Sequence, residues 1–371
     1  MNELQFSRTV SIVLLKISLL ALIPLNVSAS NLLGSDRYES LYSRSLKTDK
    51  SYKAVSQDYC SEVVTPFSGP LSMPSKYEGS GSGRDQLNAE AEARYKKQTE
   101  DIKKYEQYMA KITDKYVLSA RRDSVLQQCA LSWLNKWAEA KSMTQDATTS
   151  TGRAVRQWFL SSIAASYLKL NRPLSEDEAI RNWLAAVALK VMEDYQGYFV
   201  RPEKINNHMY WAGAGIMLTG IVASRKDFFD WGVRAFNAGA DQVDDNGFLK
   251  NEMKRKTRAL VYHNFALIPL VIMAEEGKLN GIDLYGRNNQ AIKRLGAAVM
   301  TGIENVSVFA EASGSAQDTT GLEKSYSLVW MELYQQHYPL TTRGKQLLTE
   351  LRSMRHTYIG GNLTNLILLT E

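Results

Sequence analysis

The chain has 371 residues, with 45 Lys and Arg against 39 Asp and Glu, which gives a formal net charge of +6. Hydrophobic residues make up 44% of the sequence, and this content excludes global disorder. Two cysteines exclude a disulfide scaffold and an all-cysteine zinc site. The modest positive charge does not require a nucleic acid, but it suits a polyanionic ligand.

Residues 1–29 have the composition of an export signal. Arg8 and Lys16 precede a short apolar stretch at 17–25, and the sequence VSA at 27–29 follows as a small-x-small cleavage site. The apolar stretch is too short to span a bilayer, which takes about 20 residues, so a signal peptide is favoured over a membrane anchor. We therefore expect a periplasmic protein that begins near Ser30 and has no membrane span after signal removal.

The expected export bears on the redox state of the two cysteines, Cys60 and Cys129. In an oxidising compartment they can pair, and closing a loop of that length stabilises a fold by about 4 kcal/mol. Two free, buried thiols are the alternative.

From Leu87 onward the apolar residues recur with the period of a helix. Between Leu126 and Trp137 they fall at i, i+3, i+4, i+7, i+8 and i+11. Ser175 and Glu178 predict a capping box that opens a helix to about residue 195. Further helices are predicted at 86–117, 153–170, 206–223, 227–242, 253–276, 288–303, 321–338 and 342–356. Turn residues lie at the joints and no alternating β-run appears, so we predict a single all-α domain at 30–371 made of helical hairpins.

Residues 66–86 interrupt this pattern with a stretch rich in Gly, Ser and Pro. The stretch carries Lys76, Tyr77 and Arg84. A flexible surface loop is one interpretation. The other is a mobile lid that brings a basic and an aromatic residue to a ligand.

The motif NNHMYW at 206–211 collects side chains that can do chemistry. If it opens a helix, Asn207, His208 and Trp211 share one face, so an amide, an imidazole and an indole lie together. A histidine that caps a helix or packs in the core explains the same motif.

A second motif, KRKTRALVYHN, spans 254–264. On a continuous helix Arg255 and Tyr262 would share one face about 10 Å apart along the axis, with Arg258 between them. Nearby guanidinium groups favour the charged form of a phenol. A solvated basic face beside an ordinary packed tyrosine is the alternative interpretation.

Together these motifs resemble the alginate (poly-mannuronate) lyases of polysaccharide lyase family 5. The resemblance includes the 47 residues from His208 to Arg255, the sequence PSKYEGSGSGRDQLNAEAE at 74–92, and TGRAVRQWFLSSIAASYLKL at 151–170. It implies an all-α fold, an incomplete α/α toroid of stacked helical hairpins, with a lid at about 66–86.

The resemblance also implies roles for matching residues. Asn207, His208 and Arg255 would neutralise a uronate carboxylate, and Tyr262 would be the catalytic tyrosine. The residues expected to contact sugar are Ser75, Lys76, Tyr77, Ser150, Thr151, Trp211 and Arg258. The chain departs from the family at 150–151, where a His-Thr pair is typical, and at 212–215, where bulkier residues are common.

The implied reaction is β-elimination in mannuronate-rich alginate, an anionic polyuronate. Donors around the carboxylate stabilise the enolate that forms when the C5 proton leaves. The C5 proton and O4 of a mannuronate unit lie on the same side, so Tyr262 can serve as base and acid; His208 as the base is the alternative. We expect no metal, no cofactor and no nucleic acid, and a monomer. The same chemistry on glucuronan or another polyuronate, or a non-catalytic polyuronate-binding protein, stays open.

Overall fold

The computed structural model describes residues 37–79, 84 and 86–370, so the predicted signal peptide lies outside the described residues. Helices dominate, which confirms the all-α prediction. The helices are α1 (Ala89–Gln98), α2 (Glu100–Leu118), α3 (Ser124–Glu139), α4 (Ser150–Lys169), α5 (Glu178–Tyr195), α6 (Asn207–Ala223), α7 (Lys226–Ala240), α8 (Lys250–Met253), α9 (Ala259–Leu279), α10 (Arg287–Glu304), α11 (Ser307–Ser313), α12 (Met331–Tyr334), α13 (Thr342–Leu351) and α14 (Leu363–Leu368). Two short strands, β1 (Arg355–His356) and β2 (Gly361–Asn362), pair antiparallel.

Successive long helices alternate between two rings. The helices α2, α4, α6 and α9 pack side by side in the inner ring, and α3, α5, α7 and α10 pack against them from outside. A helix surrounded by others must be apolar on every side. Accordingly α6 is buried along almost its whole length, whereas α7 buries one face.

The small residues at 212–215 serve this packing. A Cβ atom on Gly213 would lie 2.6 Å from the Cβ of Ala235 on α7, and one on Gly215 would lie 3.1 Å from the backbone nitrogen of Ser161 on α4. The departure from bulkier residues therefore lets three helices approach closely.

Helix α9 packs against α6 in the inner ring and against α7 and α10 outside it. In the described part of the chain, the segment Lys256–Leu279 is long and apolar enough by composition to cross a membrane, and 72% of its most apolar window is buried inside the fold. Composition alone does not distinguish such a helix from a membrane span, and the expectation of no span after the signal stays a prediction. Burial among helices gives this apolar segment a place in the protein core.

One predicted helix is broken in the structure, and one predicted helix cap does not form. The helix predicted at 86–117 is broken at Thr99, whose buried hydroxyl donates to the carbonyl of Tyr95. This side-chain bond competes with the helical backbone pattern. The capping box of Ser175 and Glu178 does not form, because α5 begins at Glu178 directly after Asp177, which has a left-handed φ of 56°.

The helices predicted at 321–338 and 342–356 are shorter in the structure. The first region consists of turns and the short helix α12. Contacts with α9 hold its chain in this form, because Asn264 donates to the carbonyl of Ser327 and accepts from the indole of Trp330. The second ends at Leu351, and the chain then enters β1.

The disulfide between Cys60 and Cys129 is present, so the predicted pairing is confirmed, with the two Cα atoms 5.4 Å apart. It attaches the segment before α1 to helix α3. The indole of Trp137, two turns further along α3, donates to the carbonyl of Val64 and fixes the same segment.

The C-terminal segment packs against two neighbouring inner helices. We call residues 355–362 the C-terminal clasp, which packs against α2 and α4. Lys169, fully buried at the end of α4, donates to the carboxylate of Asp114 and to the carbonyl of Gly360. The backbone nitrogen of Asn362 donates to the same carboxylate. One buried ion pair therefore fixes the clasp to two inner helices.

We expect Asp114→Asn to lower the free energy of unfolding by about 3 kcal/mol, because it leaves the buried ammonium of Lys169 without a counter-charge. The change keeps the size of the side chain and an acceptor for Asn362. Glu100→Gln is the matched control, since Glu100 pairs with Lys104 on the surface and its loss should cost about 0.5 kcal/mol. Urea unfolding measures both, and equal losses in the two variants would contradict the prediction.

Candidate active site

A cavity of about 460 Å³ opens into the helical ring. This volume lies within the range of ligand-binding cavities. Every predicted site residue except Trp211 lines the cavity, namely Ser75, Lys76, Tyr77, Ser150, Thr151, Asn207, His208, Arg255, Arg258 and Tyr262. The structure thus brings together side chains that are far apart in the sequence.

Trp211 is the exception, and its predicted contact with sugar is corrected here. The side chain is fully buried and packs against Phe265 and His356, with ring centroids 5.1 and 5.6 Å away. It follows Asn207 by one helical turn on α6, but unlike Asn207 it is not among the residues that line the cavity. Trp211 therefore supports the wall and does not face a ligand.

Arg255 reaches Tyr262 through a turn, so the predicted continuous helix is also wrong. Lys256 has a left-handed φ of 51°, and α9 begins only at Ala259. The turn brings two guanidinium groups onto the ring of Tyr262. The Cζ atoms of Arg255 and Arg258 lie 4.6 and 5.0 Å from the ring centroid. The guanidinium of Arg255 therefore contacts the phenol ring directly.

A residue that the sequence did not reveal, Gln317, holds this turn. Its Nε2 donates to the carbonyl of Lys256 at 2.9 Å, and its Oε1 accepts from the backbone nitrogen of Leu260 at 3.0 Å. Helix α9 has no side-chain cap of its own, so Gln317 satisfies a first-turn N–H that would otherwise lack a partner. No local motif signals a contact made from 61 positions away.

Glu252 is a second residue that sequence reasoning missed. Its carboxylate is fully buried, and Oε1 accepts from the backbone nitrogen and the side-chain Nδ2 of Asn207 at 2.6 and 2.9 Å. Its Oε2 lies 3.5 Å from Nε of Arg255. A buried charge requires such partners. Glu252 therefore fixes the amide of Asn207 by two hydrogen bonds and supplies a counter-charge beside the guanidinium of Arg255.

His208 is held by Gln157 of α4, a third residue that was missed. Nε2 of the amide lies 3.1 Å from Nδ1 of the ring. With the amide donating, Nδ1 is the acceptor and the proton of the neutral ring is on Nε2. Burial, with added positive charge from Arg255 and Arg84, lowers the pKa of His208 to about 3. The ring is therefore a neutral hydrogen-bond donor at neutral pH.

Positive charge dominates the cavity. Lys76, Arg84, Arg255 and Arg258 line it, and the described lining residues include no acidic side chain. An anionic ligand suits this field. Among residues 37–79, 84 and 86–370 no group of three or more His, Cys, Asp and Glu side chains is arranged to hold a metal ion.

The predicted lid segment lies beside these cations. Arg258 stacks on Tyr77, with its Cζ atom 4.8 Å from the ring centroid, and Lys76 lies 5.3 Å from the same centroid. Arg84 donates to the hydroxyl of Ser150 at 3.3 Å. The segment therefore reaches both α4 and the turn before α9, and its motion stays a prediction.

Aromatic rings form another wall, which we call the aromatic wall: Trp158, Phe265 and Tyr358. Trp158 and Tyr358 are stacked with ring centroids 5.1 Å apart, and Trp158 also lies 5.9 Å from His208. Trp158 belongs to the 151–170 block of the resemblance, but no sequence signal pointed to Tyr358 of the clasp.

The two rings of helices thus enclose a cavity lined by cations and aromatic rings, which suits an anionic ligand. The family model described as Alginate lyase matches residues 72–309. An alginate lyase of Pseudomonas paraeruginosa is 37% identical over 313 residues, covering 82% of this chain and 84% of that protein. An alginate lyase of Cobetia marina is 36% identical over 324 residues, covering 85% and 86%. The chain belongs to the alginate lyase family.

Solved structures agree with this assignment at the level of the fold. The crystal structure of alginate lyase A1-III from Sphingomonas species A1 gives a TM-score of 0.73 at 22% identity and covers 89% of this chain and 91% of that chain. A variant of that enzyme complexed with a tetrasaccharide gives a TM-score of 0.76 at 20% identity and covers 89% of this chain and 97% of that chain. The predicted α/α toroid is confirmed.

We expect the His208 ring to stay neutral at about pH 5.5, where a free histidine is mostly charged. Its pKa of about 3 in the folded protein lies below the unfolded value, so the unfolded chain binds the extra proton first. Acid therefore lowers stability as the pH falls below about 6.5. Histidine nitrogen chemical shifts measured by NMR check this, with His208→Gln to assign the signal. A His208 signal that titrates near pH 6.5 would refute the prediction.

Proposed function

We propose that the protein is a lyase that cleaves mannuronate-rich alginate by β-elimination. The observation that carries this proposal is the convergence of Asn207, His208 and Arg255 with the phenol of Tyr262 in one cationic cavity. The relatives described as alginate lyases, and the tetrasaccharide complex of a protein with the same fold, support a polyuronate as the substrate.

The first task of such a site is to neutralise the uronate carboxylate. Loss of the C5 proton places further negative charge on that group, and fixed donors stabilise it most when they are positioned before the reaction. Arg255 offers its guanidinium and Asn207 its second amide N–H, while Glu252 restrains both. His208 adds the N–H of its Nε2. We infer that these three side chains bind the carboxylate of the unit that loses its proton.

The second task is proton transfer, which we assign to Tyr262. As the phenolate it takes the C5 proton; the C5 electrons form the C4–C5 double bond as the C4–O4 bond breaks, and the phenol then protonates O4. One group serves both steps because the proton and O4 lie on one side of a mannuronate ring. The guanidinium groups of Arg255 and Arg258 lie over this ring, with their Cζ atoms 4.6 and 5.0 Å from its centroid.

His208 suits the donor role better than the alternative role of base. Its pKa of about 3 makes it a weak base at neutral pH. With Gln157 donating to Nδ1, the other ring nitrogen already carries its proton. Both observations support Tyr262 as the group that removes the C5 proton.

We also propose that the enzyme acts after export, in the periplasm. The sequence of residues 1–29 supports this location. The disulfide between Cys60 and Cys129 supports it independently, because such bonds persist in oxidising compartments.

Tyr262→Phe should lower kcat by about 10⁴-fold, because the change removes one oxygen that acts as both base and acid. The ring remains, so packing and melting temperature should change little. Tyr198→Phe is the matched control, since Tyr198 lies outside the cavity lining and its variant should keep full activity. Ultraviolet absorbance of the unsaturated product measures the rate. More than about a tenth of the activity left in folded Tyr262→Phe would remove this tyrosine from proton transfer.

The unmodified enzyme should cleave mannuronan at least about 10²-fold faster than guluronan, because in a guluronate unit the C5 proton lies on the opposite face and one group cannot serve both steps. Glucuronan keeps the arrangement at C4 and C5 and differs at C2, so its rate tests recognition separately from chemistry. The same absorbance assay compares the three polymers. If glucuronan is cleaved faster than mannuronan, glucuronan is the preferred substrate. If the folded protein binds these polymers and cleaves none of them, it is a non-catalytic binding protein.

A further inference from the structure

The C-terminal clasp brings a second histidine to the cavity. His356 lines the same cavity as Tyr262 and His208, yet it lies beyond residues 72–309 that the family model matches. Its ring centroid is 5.0 Å from that of Tyr358 and 6.3 Å from that of Phe265. It therefore stands at the aromatic wall, beside Tyr358 and Phe265.

The backbone fixes which nitrogen of His356 carries the proton. The N–H of Tyr358 donates to Nδ1 at 3.1 Å, so this nitrogen is an acceptor and the neutral ring is protonated on Nε2. Burial lowers the pKa of His356 to about 4, which keeps the ring neutral at neutral pH. Among the described residues none accepts a hydrogen bond from Nε2. A donor at the wall of a cavity is available to a ligand.

The fold holds this ring firmly. The Lys169–Asp114 ion pair fixes Gly360 and Asn362 on the far side of the same short hairpin. A Cβ atom on Gly361 would lie 2.5 Å from Oδ2 of Asp114, so the hairpin fits closely against α2. An ordered donor loses little conformational entropy when it binds a ligand.

We propose that His356 is a sugar-binding residue, which donates from Nε2 to a hydroxyl of the uronate unit seated on the aromatic wall, next to the unit that loses its proton. The proposal rests on the proposed function. Ring faces of Trp158 and Phe265 suit the C–H surface of a sugar, and a neutral donor suits its hydroxyls, while the cations that line the same cavity suit its carboxylates. The clasp thereby takes part in recognition as well as packing against α2 and α4.

Three substitutions separate binding from folding. In His356→Asn the side-chain oxygen replaces Nδ1 as the acceptor for Tyr358, but no donor reaches the position of Nε2. His356→Gln gives up the acceptor and places an amide N–H further into the cavity. His356→Ala removes both. His337→Asn is the control, because His337 pairs with Glu275 away from the cavity.

The experiment measures the Kd of a mannuronate tetrasaccharide by calorimetry in the Tyr262→Phe background, together with melting temperatures. We expect His356→Asn to raise Kd about 5–10-fold, the effect of one hydrogen bond, with an unchanged melting temperature. His337→Asn should leave Kd unchanged. Unchanged Kd in folded His356→Asn would overturn the proposal. If that variant does not fold, His356→Gln must bind more tightly than His356→Ala, and equal affinities would overturn the proposal instead.

Kinetics on mannuronan keep this inference distinct from the proposed function. In the enzyme that retains Tyr262, His356→Asn should raise KM and change kcat little, because the contact is made before and during the reaction alike. An unmodified protein that neither binds nor cleaves mannuronan overturns the proposed function and this inference with it. An active, unmodified enzyme whose His356→Asn variant has an unchanged KM overturns the inference alone.

Discussion

The buried carboxylate of Glu252 is the constraint on which the cavity depends. A site for a polyanion must collect cations before the ligand arrives, and each cation withdrawn from water needs a partner. Glu252 supplies one counter-charge beneath Arg255 and at the same time accepts twice from Asn207. Because the carboxylate lies below the lining, it orients two donors and leaves the cavity surface positive.

Two neutral histidine rings lie among the cations of the cavity. Lys76, Arg84, Arg255 and Arg258 provide charge, whereas burial keeps the rings of His208 and His356 uncharged. The positive charge that attracts a carboxylate also helps to keep the His208 ring neutral. A neutral ring keeps a directed N–H and adds no further repulsion among the cations.

Distant parts of the chain position the reactive groups. The turn between Arg255 and Arg258 depends on Gln317, and the wall beside Trp158 depends on the clasp. Both segments lie beyond the residues matched by the family model. The part that the family model matches thus carries the side chains that we propose to react, and the C-terminal part contacts the turn and the wall beside them.

The sequence by itself determined the helical class, the disulfide partners and the motifs that hold Asn207, His208 and Tyr262, because periodicity, cysteine number and short motifs are local properties. Tertiary structure decided the rest. Trp211 is buried because a neighbouring helix and the clasp cover it, and Arg255 meets Tyr262 because Lys256 turns the chain with a left-handed backbone. The roles of Glu252, Gln317 and His356 depend on partners far away in the chain. Such contacts form only when the toroid closes, so no local pattern records them.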